Sequence, residues 1–285
     1  ALARVELAGT NHTAAISYLT NAVAVARATQ HPRLRAQSLN LEAELYRKIG
    51  QTTNAVTAYD KIAGIDELPI DQRRLAILKA AELLSSSGET TNAIRRIETY
   101  LTAVTNEPAA DLLKVKAAEL WIGHARELGS AGKPAEEKLG LFTNALAQAT
   151  GHLNGVITQF TNSTHIGRAW LNLGWAAWEE GMVLDVPARV QQSEAAFRTA
   201  SEKLTRSDDQ ASAIFKLADA QVQLKQTKSA VTNYARVLND YSDLPQVKNA
   251  LFDKAYAQLV RAHIELNDLA AAESHLKKLR EEFPK

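Results

Sequence analysis

The seven residues GQTTNAV, Gly50 to Val56, return as GETTNAI, Gly88 to Ile94, with the two glycines 38 positions apart. A turn and the opening of the next segment copied at that interval mark a chain assembled from one supersecondary unit. The segments between the turns are helical in pattern. Leu75, Leu78, Ala81 and Leu84 fall on one stripe at the spacing of an amphipathic helix. No alternating run with hairpin turn chemistry appears. The breaks are short: Gly50-Gln51, Gly88-Glu89, Gly132-Lys133-Pro134 and Asn267-Asp268. Glycine just past one helix and a polar residue or proline opening the next is the grammar of a helix hairpin. A lone hairpin cannot bury its apolar stripe, so copies must stack.

Aligning the copies on the small residue after each turn gives Ala14, Ala55, Ala93, Ala230 and Ala272. Four residues on stand Tyr18, Tyr59, Ile97, Tyr234 and Leu276. The first helix of each pair repeats a bulky residue followed four later by a small one: Leu39 and Ala43, Ile77 and Ala81, Trp121 and Ala125, Trp170 and Gly174, Ile214 and Ala218. The small residue lets two helices approach, and the bulky ones fill the space between them.

These positions resemble the tetratricopeptide repeat, whose signature opens Trp-x2-Leu-Gly-x2-Tyr and continues with a small residue, an aromatic, an alanine and a proline. Trp170-Leu-Asn-Leu173-Gly174, then Ser193, Phe197 and Ala200, follow it closely. Ala43, Tyr46, Gly50, Ala55 and Tyr59 match in an earlier pair, and Ala272 to Pro284 in the last. The resemblance implies an all-α fold, a right-handed superhelical solenoid of antiparallel helix pairs. It covers the whole chain as a single array, 1–285: a half-repeat 1–31, then pairs near 33–69, 71–108, 110–163, 164–206, 208–244 and 246–284, with the array expected to continue past the chain end. The third pair has a long second arm, Pro134 to about Phe160. An insertion near 183–189 puts Asp185 at an expected N-cap and Pro187 at the helix start. Lys225 and Asn267 stand where the turn glycine would be. The longer repeats and the endings Phe160-Thr-Asn-Ser163, Tyr241 to Pro245 and Phe283-Pro284 resemble the bacterial cell-envelope subtype. Together with the absence of cysteine, this leans toward a bacterial periplasmic location.

Composition narrows the function classes. Lys+Arg 33 against Asp+Glu 32 lacks the basic excess of a nucleic-acid binder. Zero cysteines exclude disulfides, thiolate metal sites and cysteine nucleophiles. The longest stretch without Asp, Glu, Lys or Arg, Leu139 to Gly167, carries too many amides to span a membrane. The seven histidines contain no pair four apart on a helix and no His-Glu-x2-His. Ser274 and Lys277 have Ser-x2-Lys spacing, but within a regular repeat helix and without companion motifs. The segment 129–133 lacks the glycine and Ser/Thr spacing of a phosphate loop and reads as a hairpin turn. No cofactor, metal or catalytic set is expected.

The resemblance implies that binding residues project from the first helix of each pair onto a concave face. By that geometry the inward positions include Gln37, Asn40, Glu44, Arg47 and Lys48, then Leu75, Leu78, Glu82 and Ser85. The expected partner-contacting set is Arg126, Arg168, Leu171, Trp175, Trp178, Phe215 and Arg261, because rigid aromatics beside arginine are what interface hot spots use. Packing of Trp175 and Trp178 beneath the insertion near Val186 is the competing reading of those two rings. The successive asparagines of the chaperone-type carboxylate clamp are absent. Those positions hold Glu44, Glu82, Arg126, Trp175 and Asp219. The function read from these features is a non-catalytic scaffold that binds a peptide or helix of another protein. The second reading is a self-associating section of a larger envelope-associated solenoid, suggested by the uncharged runs.

Overall fold

The computed structural model describes residues 12–103, 110–129 and 134–284. All regular structure among them is helical: α1 (His12–Ala28), α2 (Pro32–Lys48), α3 (Thr52–Ala63), α4 (Ile70–Ser86), α5 (Thr90–Ala103), α6 (Asp111–Gly129), α7 (Glu136–Gln159), α8 (Ile166–Val183), α9 (Pro187–Lys203), α10 (Asp208–Gln223) and α11 (Thr227–Asp240). The last pair is α12 (Asp253–Glu265) and α13 (Leu269–Glu282). α12 is entered through a helical turn, Pro245–Val247, and a π-helical stretch, Lys248–Phe252. Residues 1–11 of the expected half-repeat, Pro108, and the expected turn at 130–133 lie outside the described residues. Where the sequence reading treats the chain as one array, it divides into two compact units, Ala1–Leu120 and Trp121–Lys285, the division falling within α6.

In the first unit α1 to α5 pack in chain order, each helix against the next. The hairpin turns close as their glycines require. Gly50 sits at φ +75 and Gly88 at φ +83, in the left-handed region that an L side chain adopts at a cost. The following amides reach back across the helix end, Gln51 N to Tyr46 O at 2.8 Å and Glu89 N to Leu84 O at 2.8 Å. These bonds satisfy carbonyls that the helix leaves open. The aligned small residues Ala43, Ala55, Ala81 and Ala93 are all fully buried.

In the second unit α7 to α12 pack in the same serial manner, and α12 packs against α13. Two of its turns use the same closure without glycine: Lys225 and Asn267 both sit at φ +59. Gln226 N bonds Gln221 O and Asp268 N bonds His263 O, each at 2.8 Å. The insertion is resolved differently from expectation. Asp185 is not an N-cap; it takes φ +55 just past α8, and Val186 precedes Pro187 as the capping residue. The true side-chain caps are Ser207, accepting from Gln210 N, and Asp268, accepting from Ala271 N. α8 and α9 approach closely. A Cβ built on Gly174 would stand 2.5 Å from the Phe197 ring, and Gly167 and Gly181, seven residues either side, face Leu204 and Val190 under 3.0 Å.

Candidate protein-interaction site

The first unit carries an open groove of about 790 Å³ between α1, α2 and α4. Three large apolar side chains line it while remaining exposed: Tyr18 at 42%, Leu34 at 47% and Leu75 at 53%. Amide groups share the lining. Gln37 and Gln72 make no side-chain hydrogen bond among the described residues, and Asn40 accepts from Lys79 Nζ at 3.1 Å. Each apolar residue is where an amphipathic helix would present it, but no helix among the described residues covers it.

Beside the groove lies a polar node. Tyr59, buried on α3, donates its hydroxyl to Glu44 Oε1 at 2.8 Å. Arg47 and Lys79 approach the same carboxylate at 2.9 and 3.3 Å. Lys79 Nζ also stands 5.5 Å from the Tyr59 ring centre. Burial works against the charge on Glu44, but the bonds from Tyr59, Arg47 and Lys79 outweigh it and hold the carboxyl below its ordinary range. Burial and the adjoining carboxylate push the Tyr59 phenol well up, so it stays protonated and donates.

In the second unit the expected contact residues separate into three groups. Arg126, Trp175 and Trp178 come together. Arg126 Nε bonds Glu179 Oε1 at 2.6 Å, and its guanidinium lies 4.5 Å from the Trp175 ring centre. Lys216 Nζ stands 4.8 Å from Trp175 and 3.9 Å from Trp178. Trp175 meets Phe197 edge-on at 5.8 Å and packs on the cluster of Leu171, Phe197 and Leu217. Lys216 continues to Asp219 at 2.7 Å, and Asp219 accepts from Tyr234 Oη at 2.6 Å. Leu171 and Phe215, expected on the open wall, are core instead, 6% and 7% exposed. Leu171 packs with Phe197 and Leu217, and Phe215 meets Tyr234 at 5.3 Å. Interlocking helices leave those faces no solvent. Arg168 and Arg261 remain exposed, Arg168 two turns before Trp175 on α8 and Arg261 in the electrostatic reach of Tyr234. The cations and rings of this wall thus answer one another.

Sequence reasoning missed Lys216 and the open apolar ring of Tyr18 and Leu34. The signal for Lys216 existed. It stands three residues before Asp219, the same step as Lys79 before Glu82. Among the described residues no cluster of three or more metal-ligating side chains forms, and no helix is long and apolar enough to cross a membrane.

Serial helix hairpins, closed by left-handed turn residues and packed through aligned small residues, define a helical-repeat protein. Residues 36–67 in the first unit and 212–243 in the second each match a family model described as tetratricopeptide repeat. The chain thus carries tetratricopeptide repeats in both units. Among solved structures it is similar to BtubC (BKLC) from P. vanneervenii, at 15% identity and a TM-score of 0.61, covering 82% of this chain and 89% of that one. It is also similar to the C-terminal part of a TPR repeat-containing protein from Cytophaga hutchinsonii, at 12% identity and a TM-score of 0.57, covering 100% and 95%. At these identities the likeness is one of fold. No curated protein matches the sequence. Repeats of this family generally mediate protein–protein interactions and are generally non-catalytic.

Proposed function

We propose that this chain is a non-catalytic scaffold that holds an extended, apolar segment of a partner protein in the groove between α1, α2 and α4. The observation that carries this reading is the exposure of Tyr18, Leu34 and Leu75 around one groove of about 790 Å³. Apolar side chains left in water gain most by being covered, at about 1.5–3 kcal/mol for a fully buried leucine. The amides favour an extended occupant over a helix. A helix satisfies its own backbone, whereas an extended segment brings bare N–H and C=O groups that need partners once water leaves. Gln37 and Gln72 offer both donor and acceptor at the groove wall. The Arg126–Trp175–Trp178 wall supports a lesser role, because its charges and ring faces are already engaged within the second unit.

Selection of random displayed peptides on the intact chain tests this. Enriched peptides are expected to carry apolar residues at alternate positions. Leu75→Glu should weaken their binding at least about tenfold, or about 1.4 kcal/mol, without lowering the melting temperature. Peptides that bind Leu75→Glu and the parent chain equally would remove the groove from the account.

A further inference from the structure

The opposite side of α4 carries a second concavity that the groove reading does not use. Leu75, Ala76 and Lys79 face the groove; Arg73, Ile77 and Leu84, half a turn away, face a cleft of about 580 Å³ bounded by α3 and α5. Its floor is apolar: Val56, Ile77, Leu84 and Tyr100 are each under 10% exposed. Its rim is cationic. Three guanidinium groups, Arg73, Arg95 and Arg96, line it against two carboxylates, Asp60 and Glu89.

Those two acids do not use up the arginines. Glu89 is engaged by the side-chain amide of Asn92 at 2.7 Å. Arg73 turns to the Ala63 carbonyl at 3.0 Å and to Asp66 at 3.3 Å. Asp60 pairs with Nη1 of Arg96, while the Nε of Arg96 is buried with no acceptor among the described residues. Arg95 is exposed and has no partner among the described residues. A guanidinium fork is built for planar bidentate oxyanions, and its donors are costly to leave unmet where water is scarce.

We propose that this cleft binds a carboxylate borne on an apolar chain, the carboxylate on Arg95 and Arg96 and the chain on the Val56–Ile77–Leu84–Tyr100 floor. Two sources share that chemistry: a free medium-chain acid, and the C-terminus of a peptide ending in apolar residues. Asp60 is the built-in competitor, because it holds Nη1 of the same Arg96 guanidinium that the ligand would engage.

Calorimetric titration of the intact chain with octanoate and with 1-octanol tests the proposal. Octanoate is expected to bind at least tenfold more tightly than the uncharged alcohol. Arg95→Ala, at an exposed and unpaired position, should weaken octanoate at least fivefold with the melting temperature unchanged. Asp60→Asn should strengthen it, and Leu75→Glu, in the groove across α4, should leave it unaltered. An N-acetylated apolar tetrapeptide, with its C-terminus free or amidated, separates the sources. Preference for the free peptide over octanoate identifies a chain terminus, and the reverse identifies a free acid. Equal binding of octanoate and octanol, or an Arg95→Ala variant that binds octanoate as the parent does, would overturn the proposal.

Discussion

Lys79 and Lys216 occupy the same place in the repeat, and each leans back onto the preceding pair, yet they meet different surroundings. Lys79 reaches the Glu44 carboxylate at 3.3 Å and stands over Tyr59. Lys216 stands over Trp175 and Trp178. Glu44 and Trp175 each follow the small residue of their helix, Ala43 and Gly174, so the two fill one register. So do Arg47 and Trp178, and Asn40 and Leu171. Exchanging Asn40, Glu44 and Arg47 for Leu171, Trp175 and Trp178 turns a hydrated polar wall into one packed on the core. The carboxylate–phenol bond itself survives in both units at the same 15-residue step, Glu44 with Tyr59 and Asp219 with Tyr234. Its setting differs: Glu44 keeps 36% of its side chain exposed, and Asp219 keeps 13%. The repeat fixes where a side chain points; the neighbours decide whether that place is open to a partner.

The largest expected effect contrasts the two members of that register. Trp175→Ala removes a ring packed on Phe197 and should destabilise the second unit by about 3 kcal/mol, in the range for large aromatics taken from a core. Glu44→Ala, with its carboxylate a third exposed, should cost about 1 kcal/mol or less. Urea midpoints measured on the intact chain check both, and equal losses would break the contrast.

Removal of the phenolic hydroxyls comes next. Tyr234→Phe strips a donor from a nearly buried carboxylate and should cost about 2 kcal/mol. Tyr59→Phe should cost about 1 kcal/mol, because water can reach Glu44 in its place. The same unfolding curves report the difference.

The smallest effect is one of pH. Glu44 is held below its ordinary value of 4.5 in the folded chain. Its contribution is therefore full above that value and is lost as the pH falls through the lower folded one. Thermal melts below about pH 4.5 should fall less steeply in Glu44→Gln than in the parent, by about 0.3 kcal/mol after allowing for solvent screening.

The hairpins were legible because their signals are local. Gly50 and Gly88 announce the left-handed turns, and Lys225 and Asn267, recognised by register alone, adopt the same conformation. The aligned small residues are buried where the sequence alignment set them from Ala55 onward; in α1 the buried pair is Ala15 and Leu19, one residue past the expected Ala14 and Tyr18, because that helix turns Tyr18 to the open side. The contact surface was harder to read, because exposure depends on the neighbouring helix. The sequence leaves Trp175 either free beside arginine or packed beneath the insertion near Val186; the glycine face of α8 lets α9 in, and Phe197 then sits against its edge. Phe215 was expected in the open and is instead covered by Tyr234. Leu34 and Tyr18 look like any core leucine and tyrosine in sequence, and only the geometry of α1, α2 and α4 leaves them bare.

Hydroxyl-radical footprinting of the intact chain, with and without a saturating selected peptide, tests the central claim most directly. The account predicts that the peptide protects Tyr18, Leu34 and Leu75 and leaves the oxidation rates of Trp175 and Trp178 unchanged. Protection of the tryptophans with Leu34 and Leu75 as reactive as before would contradict it.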